Sequence, residues 1–125
     1  MNYILGGLGP CIAIGAIYDK RGYMVHEHAL RPDYAYFLER TIFADLRRDV
    51  KDKKKLQIYV VGGEIDAQYT NEKREGRKIV LEKIVENGFQ DSVIKIQWCP
   101  LEHNQSLRLI LSEGRAEIEE DSMNE

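Results

Sequence analysis

Apolar residues recur along this chain with two periods, one near two and one near 3.6, and the two alternate in blocks. From Cys11 to Tyr18 a short apolar run containing Ile12, Ile14 and Ile17 predicts a strand, being too short and too β-branched for a long helix. Asp19-Lys20-Arg21-Gly22 is a polar turn whose glycine is placed to take positive φ. Residues 23–29 predict a second strand, so the opening third reads as a β-hairpin. Gly15 inside the first strand predicts a bulge or a close backbone approach.

The helical period follows. Pro32-Asp33 marks a helix start with Asp33 as N-cap, and Tyr34, Phe37, Leu38, Thr41, Ile42 and Leu46 form one apolar stripe. Asp52-Lys53-Lys54-Lys55 reads as a solvated loop, and 56–61 as a strand ending at Gly62-Gly63. Arg77, Val80, Leu81, Ile84 and Val85 give a second helical stripe, stopped by Asn87-Gly88. Val93–Trp98 alternates with Lys95 and Gln97 outward. Residues 107–111 alternate less cleanly, and Ser112-Glu113-Gly114 turns them into a last strand around 115–119. The pattern describes one α+β domain over 1–118. Residues 119–125 form an acidic tail expected to be disordered.

Charge narrows the function classes. With 18 Lys+Arg against 21 Asp+Glu in 125 residues, the net charge of −3 argues against a nucleic-acid partner, which needs a basic face. No apolar run approaches the ~20 residues of a membrane span, so no membrane insertion is expected. Met1-Asn2-Tyr3 lacks the basic start of a signal peptide, and Cys11 and Cys99 belong to no Cys-x-x-Cys pair. Free thiols in a cytoplasmic protein are the expectation.

The stretch richest in candidate chemistry is Gly6-Gly7-Leu8-Gly9-Pro10-Cys11, a glycine-dense turn that delivers a cysteine to the first residue of a strand. Glycines allow close approach of a substrate, and their N–H groups can converge on an oxyanion. The plainer reading makes Cys11 a small buried hydrophobe. A catalytic thiol needs a proton acceptor, because a free thiol with pKa ~8.5 is only slightly ionised at neutral pH. His26 and His28 lie on the returning strand and share one face, with Glu27 on the other. The same parity permits a metal site of His26 and His28 with His103, although no strong ligand motif surrounds them and no metal is expected.

These residues resemble, in order, the CheD-like family of chemoreceptor glutamine deamidases. The likeness runs through Gly7-Leu8-Gly9-Pro10-Cys11, Tyr18-Asp19, Gly22-Tyr23-Met24-Val25-His26, Val61-Gly62-Gly63-Glu64, the helix of residues 76–88 and the closing Gly114-Arg115-Ala116-Glu117-Ile118. It implies a layered β-sandwich of mainly antiparallel strands with two flanking helices, as in deamidating bacterial toxins. It also implies Cys11 as nucleophile and His26 as its base. Gly7, Gly9 and Gly63 then belong to the substrate and oxyanion region, and no cofactor is needed. The family's orienting threonine falls on Leu5, which leaves the Leu5 main-chain carbonyl as its substitute. Pro10 replaces the serine before the cysteine, Ile79 an asparagine, and residues 100–106 a glycine-rich motif. The expected function is therefore deamidation of glutamine on a partner protein such as a chemoreceptor, through a thioester. The alternative is a catalytically degenerate relative that binds a regulator resembling CheC.

Overall fold

The computed structural model describes residues 2–123. Among them are β1 (Asn2–Leu8), β2 (Cys11–Tyr18), β3 (Arg21–His28), α1 (Tyr34–Arg40), α2 (Ile42–Asp49), β4 (Gln57–Gly62), α3 (Thr70–Glu86), β5 (Val93–Trp98), β6 (His103–Ile110) and β7 (Arg115–Ser122). One sheet has the order β1-β6-β7 and the other β3-β2-β4-β5. All pairings are antiparallel except β4–β5, which are joined in parallel through α3.

Alternation along β2 and β4 explains the three layers. Ile12, Ile14 and Ala16 of β2, with Ile58 and Val60 of β4, face the helices and meet Leu38, Phe43, Leu46, Val80 and Ile84. Their neighbours Ala13, Ile17, Tyr59 and Val61 face the other sheet and meet Leu8, Leu107 and Leu109. The near-continuous burial of β2 follows from being covered on both faces. Gly15 is a close approach rather than a bulge: the ladders around it are regular, and a Cβ there would lie 2.9 Å from Leu107 Cδ2.

Several local expectations change. The hairpin turn is made by Asp19 and Lys20, both at positive φ, while Gly22 leaves room for the Tyr3 ring. The first helical stripe breaks at Thr41, whose hydroxyl donates to the Phe37 carbonyl at 2.7 Å, so α1 and α2 form a broken pair. Asp33 precedes α1 at positive φ without a side-chain cap. Helix α3 begins at Thr70, ahead of the stripe, after a turn in which Asp66 receives the Gln68 N–H and the buried Lys73 ammonium. Ile94 and Ile96 are 57% and 36% exposed because β5 is an edge strand, while Gln97 reaches Glu120.

The acidic segment is not a free tail as far as Ser122. Glu119, Glu120, Asp121 and Ser122 pair with Ser106, Gln105, Asn104 and His103. Glu120 accepts hydrogen bonds from the carboxamides of Gln105 and Gln97, which holds an otherwise polar strand in place. Residues 124 and 125 of that expected tail lie outside the described residues.

Gly62 ends β4 at φ 91°, and a Cβ there would overlap the Cys11 carbonyl oxygen. Gly62→Ala is expected to cost about 3 kcal/mol or more through strain and overlap combined. Gly7 also has positive φ, but its Cβ would meet open space. Gly7→Ala should cost only about 1 kcal/mol. Urea unfolding midpoints of the two variants check this ranking.

Candidate functional site

The β2–β3 hairpin sets the geometry of the candidate chemistry. Its two-residue turn makes Tyr18↔Arg21 the closing, mutually hydrogen-bonded pair. Hydrogen-bonded and non-hydrogen-bonded pairs then alternate, so Ala13↔His26 and Cys11↔His28 are non-hydrogen-bonded pairs. In such pairs the side chains stand closest, with Cα atoms typically ~4.5 Å apart. Two observations agree with this phase: the Cys11 carbonyl turns to β4, accepting the Gly63 N–H at 2.9 Å, and the His28 N–H turns outward to Glu27 Oε1 at 2.9 Å.

Cys11 therefore lies directly opposite His28, with His26 one pair further along on the same face. The two imidazoles are not equivalent. The Leu30 N–H donates to His28 Nδ1 at 3.1 Å, which assigns the neutral ring's proton to Nε2 and makes that nitrogen a donor. His26 is exposed, and its ring makes no hydrogen bond among the described residues, so it keeps a nitrogen free to accept a proton.

Glu27 was visible in the sequence only as the residue between the histidines. Its carboxylate holds the His28 N–H and is bound by Arg31 Nη1 at 2.9 Å. These contacts, the His28 N–H first, hold its pKa below the usual range, so it is ionised at neutral pH. Burial, and then the Glu27 carboxylate, push the Cys11 thiol up. Cys99 is raised further, to about 11, by burial and by Glu64 and Glu120. Its Sγ donates to the His103 and Pro100 carbonyls at 3.3 and 3.5 Å, the contacts of a structural thiol.

The glycine amides divide sharply. The Gly9 N–H donates to the Gly7 carbonyl at 3.2 Å, and Gly63 donates to Cys11 as above, so neither is available as the oxyanion donor expected of it. Gly7 remains, exposed and at positive φ. Tyr34 packs in the core as its place in the helical stripe predicts, on the helix-facing side of β2, whereas Cys11 faces the other sheet. The Tyr34 hydroxyl is the one buried side-chain nitrogen or oxygen atom without a hydrogen-bond partner among the described residues. Burial raises its pKa, and the charges of Glu27 and Cys11 reinforce the rise, so Tyr34 stays protonated.

Leu5 lies on β1 opposite Leu107, and no hydrogen bond joins it to His26. Both residues line a cleft of about 580 Å³ that also touches Tyr3, Met24 and α2; Cys11 and His28 are outside its lining. His103 opens β6, its Nδ1 3.0 Å from the Leu101 carbonyl. Among the described residues no three His, Cys, Asp or Glu side chains converge as a metal-holding group. No helix is long and apolar enough to cross a membrane. Neither a family model nor a curated protein matches the chain.

Removing the Glu27 charge should release the Cys11 thiol. In Glu27→Gln the pH midpoint of Cys11 alkylation is expected to fall and its rate at neutral pH to rise, because less negative charge opposes the thiolate. Cys99 should keep its own midpoint, and mass mapping of alkylated peptides across a pH series reads both.

Proposed function

We propose that this protein is a cysteine amidohydrolase that deamidates glutamine side chains of a partner protein, as its resemblance to the CheD-like family suggests. The observation that carries the reading is the placement of Cys11 across the hairpin from His28, with His26 beside it on the same face. In the reaction, Cys11 Sγ attacks the carboxamide carbon and its proton passes to His26. His26 returns that proton to the departing ammonia as the tetrahedral intermediate collapses to a thioester. Water then attacks the thioester with His26 as base, releasing glutamate and the thiol. No cofactor enters any step.

The oxyanion needs donors, and the spent amides of Gly9 and Gly63 shift that task to His28 Nε2–H and the Gly7 amide. The Leu5 carbonyl, which the resemblance offers as the group that orients His26, makes no hydrogen bond to it, so His26 acts in this reading without that support. A chemoreceptor-like protein is the substrate class that the resemblance suggests. The free thiols suit a reducing compartment such as the cytoplasm.

A second reading has its own support. The raised Cys11 thiol and the engaged glycine amides suit a protein that kept the fold, lost the reaction and binds a partner, such as a CheC-like regulator.

Ammonia release from a glutamine-bearing protein separates the two. For the enzyme, Cys11→Ala abolishes release, Cys99→Ala retains it, and His26→Ala lowers it by about 10²–10⁴-fold. If wild-type protein releases no ammonia while still capturing its partner, and Cys11→Ala captures it equally, the binding reading replaces the enzymatic one.

A further inference from the structure

The cleft beside His26 has an unusual wall. Its lining includes five consecutive residues of β3, from Gly22 to His26, and three of β1, from Tyr3 to Leu5. Alternating side chains cannot all face one space, so such runs mean that the cleft lies along strand edges. Both strands are outermost in their sheets, and no strand pairs with β3 on its outer side. The phase derived above decides which backbone groups point there. Gly22, Met24 and His26 belong to the non-hydrogen-bonded pairs with β2, so their N–H and C=O groups face outward. At His28 the outward N–H is already closed off by Glu27, which marks the end of the open edge.

We propose that this edge is where the partner protein is held: an extended segment adds to β3 as a fifth strand of its sheet, bonded to the main chain of Gly22, Met24 and His26. An extended backbone is the ligand whose donors and acceptors match that spacing. Its side chains alternate between two environments. Those on the His26 face meet Tyr3 and Leu5, and those on the other face meet Thr41, Ile42 and Asp45. Asp45, the one fixed charge in the cleft lining, is paired with Arg48 at 3.2 Å, and Asp49 one turn further along α2 is held by Arg48, Arg21 and Tyr23, so that second face is polar and already balanced in charge. The inference rests on the amidohydrolase reading only in placing a glutamine on the His26 face. It makes the substrate an extended segment that presents its glutamine beside His26.

The probe is the peptide acetyl-Val-Lys-Gln-Ile-Val-amide, titrated to millimolar concentration into ¹⁵N-labelled full-length protein. Saturable shifts should centre on the Gly22, Met24 and His26 amides. Methylating the peptide nitrogens of every second residue should abolish binding in one phase and leave it intact in the other. Met24→Pro removes an outward N–H while sparing the β2–β3 ladder, and should abolish the shifts; if that variant does not fold, the two methylated peptides decide alone. Absence of saturable shifts, or equal binding by both methylated peptides, overturns the proposal. Mass analysis of the same samples tests the reaction separately. Phase-selective binding without conversion of glutamine to glutamate keeps the docking edge and rejects the deamidase. Conversion without phase-selective binding does the reverse.

Discussion

The peptide group of Gly62 is the point on which the two sheets and the candidate site depend. Its N–H donates to the buried Gln105 carboxamide at 2.7 Å, and its carbonyl accepts the Cys99 N–H at 2.7 Å. Its Cα lies against the Cys11 carbonyl, where no side chain fits. One residue thus ties the end of β4 to β6, to the segment after β5, and to the start of β2. Gln105 extends the network by donating to the Gln97 carbonyl and to Glu120. A buried carboxamide satisfied on both ends is costly to disturb, since any lost partner leaves polar atoms in a dry interior. The backbone position of Cys11 follows from this junction, and so does its distance in the ladder from each histidine.

At rest the charge that dominates the surroundings of the Cys11 thiol is the ionised Glu27 carboxylate, itself held by Arg31. Burial and Glu27 keep the thiol protonated, the Leu30 N–H turns His28 into a donor, and Tyr34 keeps its hydroxyl hydrogen with no acceptor. The same Glu27 that opposes the thiolate also fixes the loop after β3 through His28 and Arg31. Structural support and reactivity therefore compete at a single carboxylate.

Much of the architecture was legible because it rests on periodicity. The hairpin, β4, β5 and the two helical regions come from alternation or from 3.6-residue stripes, and those patterns survive in the packing. What was not legible has local causes. β1 was hidden because Gly6, Gly7 and Gly9 read as a turn, whereas backbone pairing with β6 makes Asn2–Leu8 a strand. β7 was cut short because carboxylates suggest solvation, and the partners that hold Glu120 come from distant strands. In the site, Cys11 and the two histidines stood out by residue type and spacing. The preference between the histidines, the spent amides of Gly9 and Gly63, and the orphaned Tyr34 hydroxyl could not be read there. Each depends on a hydrogen bond, or the lack of one, formed only after folding.

The last strand has a consequence for how copies of this chain meet in concentrated solution. β7 is the outer strand of its sheet, and an outer strand is a template on which another chain can grow. Here the template carries Glu117, Glu119, Glu120 and Asp121 within one strand. A second copy laid along it would bring carboxylates to face carboxylates, which repels pairing while they are ionised. The acidity that looks like the mark of a loose end thus acts as a guard against fibrous self-association. Acidification or high salt, which neutralises or screens those carboxylates, is the condition under which that guard fails.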